Sequence, residues 1–422
     1  MSLTLTLQKG IKFHDGSDFN APGVKFLLDL VKDSARAELK SVSTIDVIDD
    51  STVKINLKEL DNLLLVDMAT TAGAIVSPAA IKKDGKDYNV THPVGTGPFK
   101  FVSWARDVNL KYEKNSNYWQ KGKPYLDKIQ YLFQADPVTA KASFLAGEGQ
   151  ILGTLVPADA NELSKKGKYT FTSSIGPVVT LCPDGANASS PFANLQVRQA
   201  VSYAIDVNTM VKTIGYGYLI PVNQPSAPGI WNYNPDVKGY PYDPKKAKEL
   251  LTAAGYPTGF KTTIYYENNY TDIASACLSV QQYLKDIGIN AELAPVAMGK
   301  LTDIMTKGWQ NGLVVTRNTM GTNYSPLNTI RRNFSELGTN NVSIIHLEPI
   351  EFQLKQALKE LDQNKMTKQM QQISKMMIDD YCIIIPLYSR VSMWAASPEV
   401  QQAGWLMGGD ILETTGDTWL NK

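Results

Sequence analysis

The chain has 422 residues, with 42 Lys and Arg against 41 Asp and Glu, for a formal net charge of +1. That length exceeds what one hydrophobic core serves, so two or three domains are expected in a large globular protein. Near-neutral charge without a long block of like charges leaves no electrostatic footprint for nucleic acid or an acidic membrane, and the absence of any apolar run of about 18 residues excludes a spanning helix.

In chain order, the start is strand-like and carries no basic, apolar, small-residue export signal. The first hundred residues read as strand and turn with one or two helices. In DVIDDSTVKINL (Asp46–Leu57), Val53, Ile55 and Leu57 alternate with Lys54 and Asn56 after the turn residues Asp49, Asp50 and Ser51, which predicts a half-buried hairpin. From Asn194 the period changes. Val197, Val201, Ala204 and Ile205 mark one apolar helix face, and Asp206 is placed to end that helix and cap the next. DPKKAKELLTAAG predicts a helix with Asp243 as N-cap, Pro244 in the first turn and Gly255 just past the end. In TDIASACLSVQQYLKDIG, Ile273, Cys277, Val280, Leu284 and Ile287 form a second stripe that Gly288 stops, before Ile289, Ala291 and Leu293 alternate as a strand. A helix through MTKQMQQISKMMIDD then runs into Ile383-Ile384-Ile385, which reads as a buried strand that Pro386 interrupts.

Chemistry-bearing patterns are sparse. Neither GxSxG nor HExxH occurs, and His14, His92 and His346 are scattered, so an enzyme is not expected. In the HDG phrase, Asp15-Gly16 reads as a turn. The glycine phrases lack both GxGxxG and a phosphate-loop lysine, so no nucleotide site is expected. Cys182, Cys277 and Cys382 lack CxxC spacing and read as buried structural residues; no metal and no cofactor is implied.

Five phrases carry a resemblance: KGIKFHDGSDFNAPGVKF (Lys9–Phe26), VGTGPFKF (Val94–Phe101) followed by Trp104, NSNYW (Asn115–Trp119), NLQVRQAVSYAID (Asn194–Asp206) and YDPKKAKELLTAAGY (Tyr242–Tyr256). In this order and spacing the chain resembles the family 5 extracellular solute-binding proteins of ABC importers. The resemblance implies an α/β fold: a two-lobed periplasmic-binding-protein clamp of type II, in the cluster of large peptide-binding-type proteins, with an extra N-terminal subdomain. On that template residues 1–103 form the small N-terminal subdomain, 104–217 the first segment of the large lobe, 218–387 the second lobe and 388–422 the return to the large lobe. Family members carry further residues before the KFHDG phrase, which implies a truncated N-terminus here.

The resemblance also places candidate ligand residues. Arg317, in VVTRNTMGTNYSPLNTIRRNF (Val314–Phe334), falls where some peptide-binding relatives place a basic residue that reaches a peptide carboxylate; the alternative is that it ends a strand in solvent. Tyr324 and Pro326 keep the loop's pattern. Asn323 stands where peptide binders carry an aspartate for the ligand ammonium, so free-amine peptides are expected to bind weakly unless another carboxylate, such as Asp303 or Glu336, substitutes. Tyr388 aligns with the first of a run of tyrosines at the return hinge. Arg390 is either a second basic contact or a solvated hinge charge, and Trp104 either lines the cleft or packs beneath it.

The implied function is an extracytoplasmic receptor, periplasmic or lipid-anchored at the outer face of the cytoplasmic membrane. It would act as a monomer, capturing a peptide-like or other small organic ligand and delivering it to a permease with its ATPase subunits, without nucleic acid. The alternatives are a ligand-presenting sensor or chaperone-like protein on the same clamp, or a metal-chelate or haem binder.

Overall fold

The structure, a computed structural model, describes residues 1–34, 39–69, 71–153, 155–318, 326–403 and 415–421. The chain divides into two compact units. The first comprises Met1–Gly153, Lys168–Thr172 and Trp394–Lys422, and the second Thr154–Gly167 and Ser173–Met393.

In the first unit, β1 (Ser2–Thr6), β2 (Val42–Asp49) and β3 (Thr52–Leu57) form an antiparallel sheet in the order β1-β3-β2. The β2–β3 hairpin forms where alternation places it, with Val53 and Ile55 buried and the Asp49 carboxylate accepting from the Ser51 backbone N–H at 2.8 Å. Helix Ala21–Lys32 starts at Asn20, whose side chain accepts from Gly23 N–H at 3.0 Å, and turns Ala21, Val24 and Leu28 onto the core shared with Val42, Ile45, Val53 and Ile55. A second antiparallel sheet contains β4 (Phe99–Ala105), β5 (Asn109–Lys114) and β6 (Lys128–Leu132). The short β7 (Ile151–Leu152) pairs with Ala395 and Ala396.

Three of the sequence phrases meet in this unit. The HDG phrase is a turn, with Gly16 at φ 86°, Phe13 N–H donating to Ser17 C=O, and Asp15 accepting from Ser17 N–H and the Ser77 hydroxyl. One carbonyl ties the phrases together: the Gly97 oxygen lies 2.9 Å from His14 Nε2 and accepts from Asn115 Nδ2 at 3.1 Å. Burial pushes the His14 pKa below its usual value.

The second unit is built on β8 (Thr170–Pro183), β9 (Leu219–Pro221), β10 (Lys261–Glu267), β11 (Asn290–Val296), β12 (Gly312–Asn318) and β13 (Ile385–Ala396). The sheet order is β11-β10-β12-β8-β13, with β9 against β13; β10 is parallel to both β11 and β12, and β12 is antiparallel to β8. The predicted helices form with their caps. Asp243 accepts from Lys246 N–H at 2.9 Å ahead of helix Pro244–Ala253, and Asp206 from Thr209 N–H at 3.0 Å ahead of helix Val207–Gly215. Helix Thr271–Asp286 buries Ile273, Cys277, Val280 and Leu284 against the sheet core of Ile264, Leu313 and Val315. Each fully buried aliphatic side chain of this kind contributes about 1.5–3 kcal/mol. Gly288 follows at φ 93°, a left-handed conformation that glycine adopts without strain.

Helix Leu195–Ala204 does more than bury an apolar stripe. Arg198, 3 % exposed, donates to the carbonyls of Cys382, Phe192, Ala193 and Tyr381 at 2.8–2.9 Å. Four carbonyls satisfy a guanidinium that would otherwise be costly to bury.

One expectation needs correction. Pro386 does not interrupt the apolar run: Ile383 and Ile384 are buried ahead of the strand, and β13 begins at Ile385 and continues through Pro386 to Ala396. A missing N–H is tolerated at the start of a strand. By contacts, 104–153 group with 1–103, and 173–217 with 218–393. Two of the four changes of unit fall inside β8 and β13, long strands whose sequence pattern does not mark the break.

Candidate functional site

The carboxyl ends of parallel strands are where α/β sheets place ligands, because the backbone turns away there and leaves a crevice. In the second unit β10 ends at Glu267 and the chain passes through Tyr270 into helix Thr271–Asp286, while Arg317 is the penultimate residue of the parallel strand β12. The Tyr270 side chain makes no cap bond to the helix, and its ring packs against charge instead.

The Arg317 guanidinium carbon lies 4.1 Å from the Tyr270 ring centroid, and that of Arg390, on β13, lies 4.7 Å from it. Each arginine has its own acid. Arg317 Nη2 donates to Glu267 Oε2 at 2.7 Å, and Arg390 Nε is 3.1 Å from Asp272 Oδ2. The Tyr388 hydroxyl donates to the same Asp272 oxygen at 3.4 Å. Two guanidinium cations and two carboxylates leave the cluster neutral overall. Exposure separates the pairs: the Arg317 and Glu267 side chains are 26 % and 7 % exposed, those of Arg390 and Asp272 9 % and 2 %. Burial, reinforced by Asp272, pushes the Tyr388 hydroxyl pKa well above its usual value, so it remains a proton donor to that carboxylate.

The end of β12 is braced from its other face, where side chains alternate. Thr316 and Asn318 are buried; Asn318 Nδ2 donates to Thr316 Oγ1 at 2.8 Å and Asn318 Oδ1 accepts from Asn333 Nδ2 at 3.0 Å.

The structure sorts the sequence candidates. Arg317 is partly exposed, but it does not line open solvent freely, because Glu267 and Tyr270 already hold it. Arg390 belongs to the same cluster, nearly buried rather than a solvated hinge charge. Tyr388 is fully buried and touches Asp272, so its role in this structure is to support that carboxylate. Trp104 lies on β4 of the first unit, opposite Leu110 and 44 % exposed, rather than packed beneath neighbours. Asn323 and Tyr324 lie outside the described residues. Asp303 pairs with Lys307 on an exposed helix, and Glu336, in the exposed turn after helix Pro326–Phe334, with Lys355. Glu267, Tyr270 and Asp272 were not foreseen, although YYENNYTD, two acids and an aromatic between a strand end and a helix start, was the available signal.

The cysteines are free and buried, and burial pushes the Cys182 and Cys382 thiols up to about 12 and about 11, away from thiolate reactivity. Among the described residues no group of three or more His, Cys, Asp or Glu could hold a metal ion, and no helix is long and apolar enough to cross a membrane.

Comparisons with known proteins place these features. The family model for bacterial extracellular solute-binding proteins, family 5 (middle region), matches residues 1–341. The glutathione-binding protein GsiB of Pectobacterium atrosepticum is 36 % identical over 306 residues, which cover 71 % of this chain and 59 % of that protein. The chain thus spans about 59 % of the length of the curated relatives it matches. Among solved structures, AgaA from A. tumefaciens R10 in complex with agropinic acid superposes with a TM-score of 0.85 at 25 % identity, covering all of this chain and 87 % of that one. The periplasmic binding protein DppA of Helicobacter pylori in complex with the peptide STSA gives 0.86 at 24 % identity, with 100 % and 87 % covered. The fold is therefore the expected type II periplasmic-binding-protein fold of the peptide-binding class. With its family phrases folded as described and its model match running through most of its length, the chain belongs to the bacterial extracellular solute-binding proteins, family 5.

Proposed function

We propose that this protein is the extracytoplasmic receptor of an ABC importer, which captures a small organic solute and delivers it to a membrane permease without chemistry of its own. It would act as a monomer in the periplasm or at the outer face of the cytoplasmic membrane. Family membership supports the class, and the observation that carries the site is Arg317, partly exposed and stacked on Tyr270 at the carboxyl ends of parallel strands. A guanidinium held over an aromatic ring, with donors unspent, is suited to gripping a solute carboxylate. Relatives bind solutes that fit this chemistry: glutathione for GsiB, agropinic acid for AgaA and the peptide STSA for DppA. A sensor or chaperone role on the same fold has no separate observation in its favour.

Native mass spectrometry of the purified protein, followed by a thermal-shift panel of peptides, glutathione and agropinic acid, tests this reading. A true solute at a hundredfold excess over its Kd adds about 2.7 kcal/mol of stability. No co-purified solute and no shift with any panel member would overturn it.

A further inference from the structure

We infer that the Arg317–Glu267 pair is a receptor for an α-amino-acid head group, with the solute carboxylate on Arg317 and its ammonium on Glu267. This deepens the receptor reading and rests on it. The bond to Glu267 occupies one of the five N–H donors of Arg317, and the side chain is 26 % exposed, so further donors can meet a carboxylate. A plain anion arriving there also meets the negative charge of Glu267, which opposes it; a solute carrying its own ammonium turns that opposition into attraction. The charge balance agrees, because the cluster as a whole is neutral and offers a dipole rather than an excess of either sign.

Distance narrows the class. Arg317 Nη2 and Glu267 Oε2 are 2.7 Å apart, so the two solute charges must sit side by side. Ammonium and carboxylate on one carbon meet that condition. The termini of a linear peptide are separated by at least one peptide unit and do not. The inner Arg390–Asp272 pair, 9 % and 2 % exposed, is too buried to offer the same contact, and its guanidinium carbon lies 4.7 Å from the Tyr270 ring centroid.

The isomers γ-L-glutamylglycine and α-L-glutamylglycine have the same composition and charge, but only the γ form keeps ammonium and carboxylate on one carbon. Titration calorimetry with both isomers, and with the N-acetylated γ form, should give at least about tenfold tighter binding of the free γ isomer. Glu267→Gln, which preserves shape and a hydrogen-bond acceptor for Arg317 but removes the charge that the ammonium needs, should abolish the preference for the free γ isomer. Equal or tighter binding of the α isomer or the acetylated form, or no binding of any of the three, overturns the inference, and so does a preference that survives in Glu267→Gln. The receptor reading itself stands or falls separately on the co-purified solute and the wider panel.

Discussion

Two arginine–carboxylate pairs flank one tyrosine ring, and they differ chiefly in access to water. The outer pair, Arg317–Glu267, retains 26 % exposure on the arginine, whereas the inner pair, Arg390–Asp272, is 9 % and 2 % exposed and receives the Tyr388 hydroxyl as well. A partly solvated charge such as Arg317 can exchange one partner for another at lower cost than a buried one. For a buried one, breaking the pair strands an uncompensated charge. The same chemistry is therefore suited to exchange of partners in one place and to rigidity in the other.

The sharpest way to break this comparison is Asp272→Asn. It leaves Arg390 buried without its carboxylate and should destabilise the protein by about 3–5 kcal/mol in urea unfolding. A loss below about 1 kcal/mol would show that the inner pair is as replaceable as the outer. Arg317→Ala comes next: it should weaken solute binding by about 2–5 kcal/mol, the range for truncating one partner of a charge contact. It should also cost about 1–3 kcal/mol of stability, because Glu267 loses its donor. Unchanged affinity would move the anchor elsewhere. Tyr270 sharpens the contrast, since Tyr270→Phe keeps the ring and should be nearly silent, while Tyr270→Ala removes the surface both guanidiniums stack on and should cost about 1–2 kcal/mol. Equal effects from the two variants would show that the hydroxyl, not the ring, matters.

The smallest effect lies outside both pairs. Burial keeps His14 neutral in the folded protein to lower pH than in the unfolded chain. The unfolded chain therefore takes up that proton first, and stability should fall as pH drops below about 6.5 until the folded-state pKa is passed. Comparing urea midpoints at neutral and mildly acidic pH should show this slope, and His14→Asn should flatten it.

Much of the framework was legible in sequence because its signals are local. Asp206 and Asp243 cap the helices that follow them, and Gly288 ends the helix that Ile273, Cys277, Val280 and Leu284 anchor. Arg317 was legible through resemblance, and its strand forms. Its partners were not: Glu267 lies 50 positions away and becomes a neighbour only through the parallel pairing of β10 with β12. The expectation that free-amine solutes bind weakly weighed Asp303 and Glu336 as substitute acids, yet both are occupied by lysines on exposed helices. Arg198 escaped notice for the opposite reason. Its helix was read for its apolar stripe, and nothing local tells that a charged residue points inward to carbonyls 183 and 184 positions away.

That inward arginine has a consequence for synthesis. Two of its four acceptors, the Tyr381 and Cys382 carbonyls, leave the ribosome long after the helix that carries it. Until they arrive, only the Phe192 and Ala193 carbonyls are present to satisfy the cation, which disfavours burying it and closing the core co-translationally from the amino end. Chains halted before Tyr381 should stay open and protease-sensitive and draw on chaperones, whereas chains released beyond Cys382 should become resistant in one step.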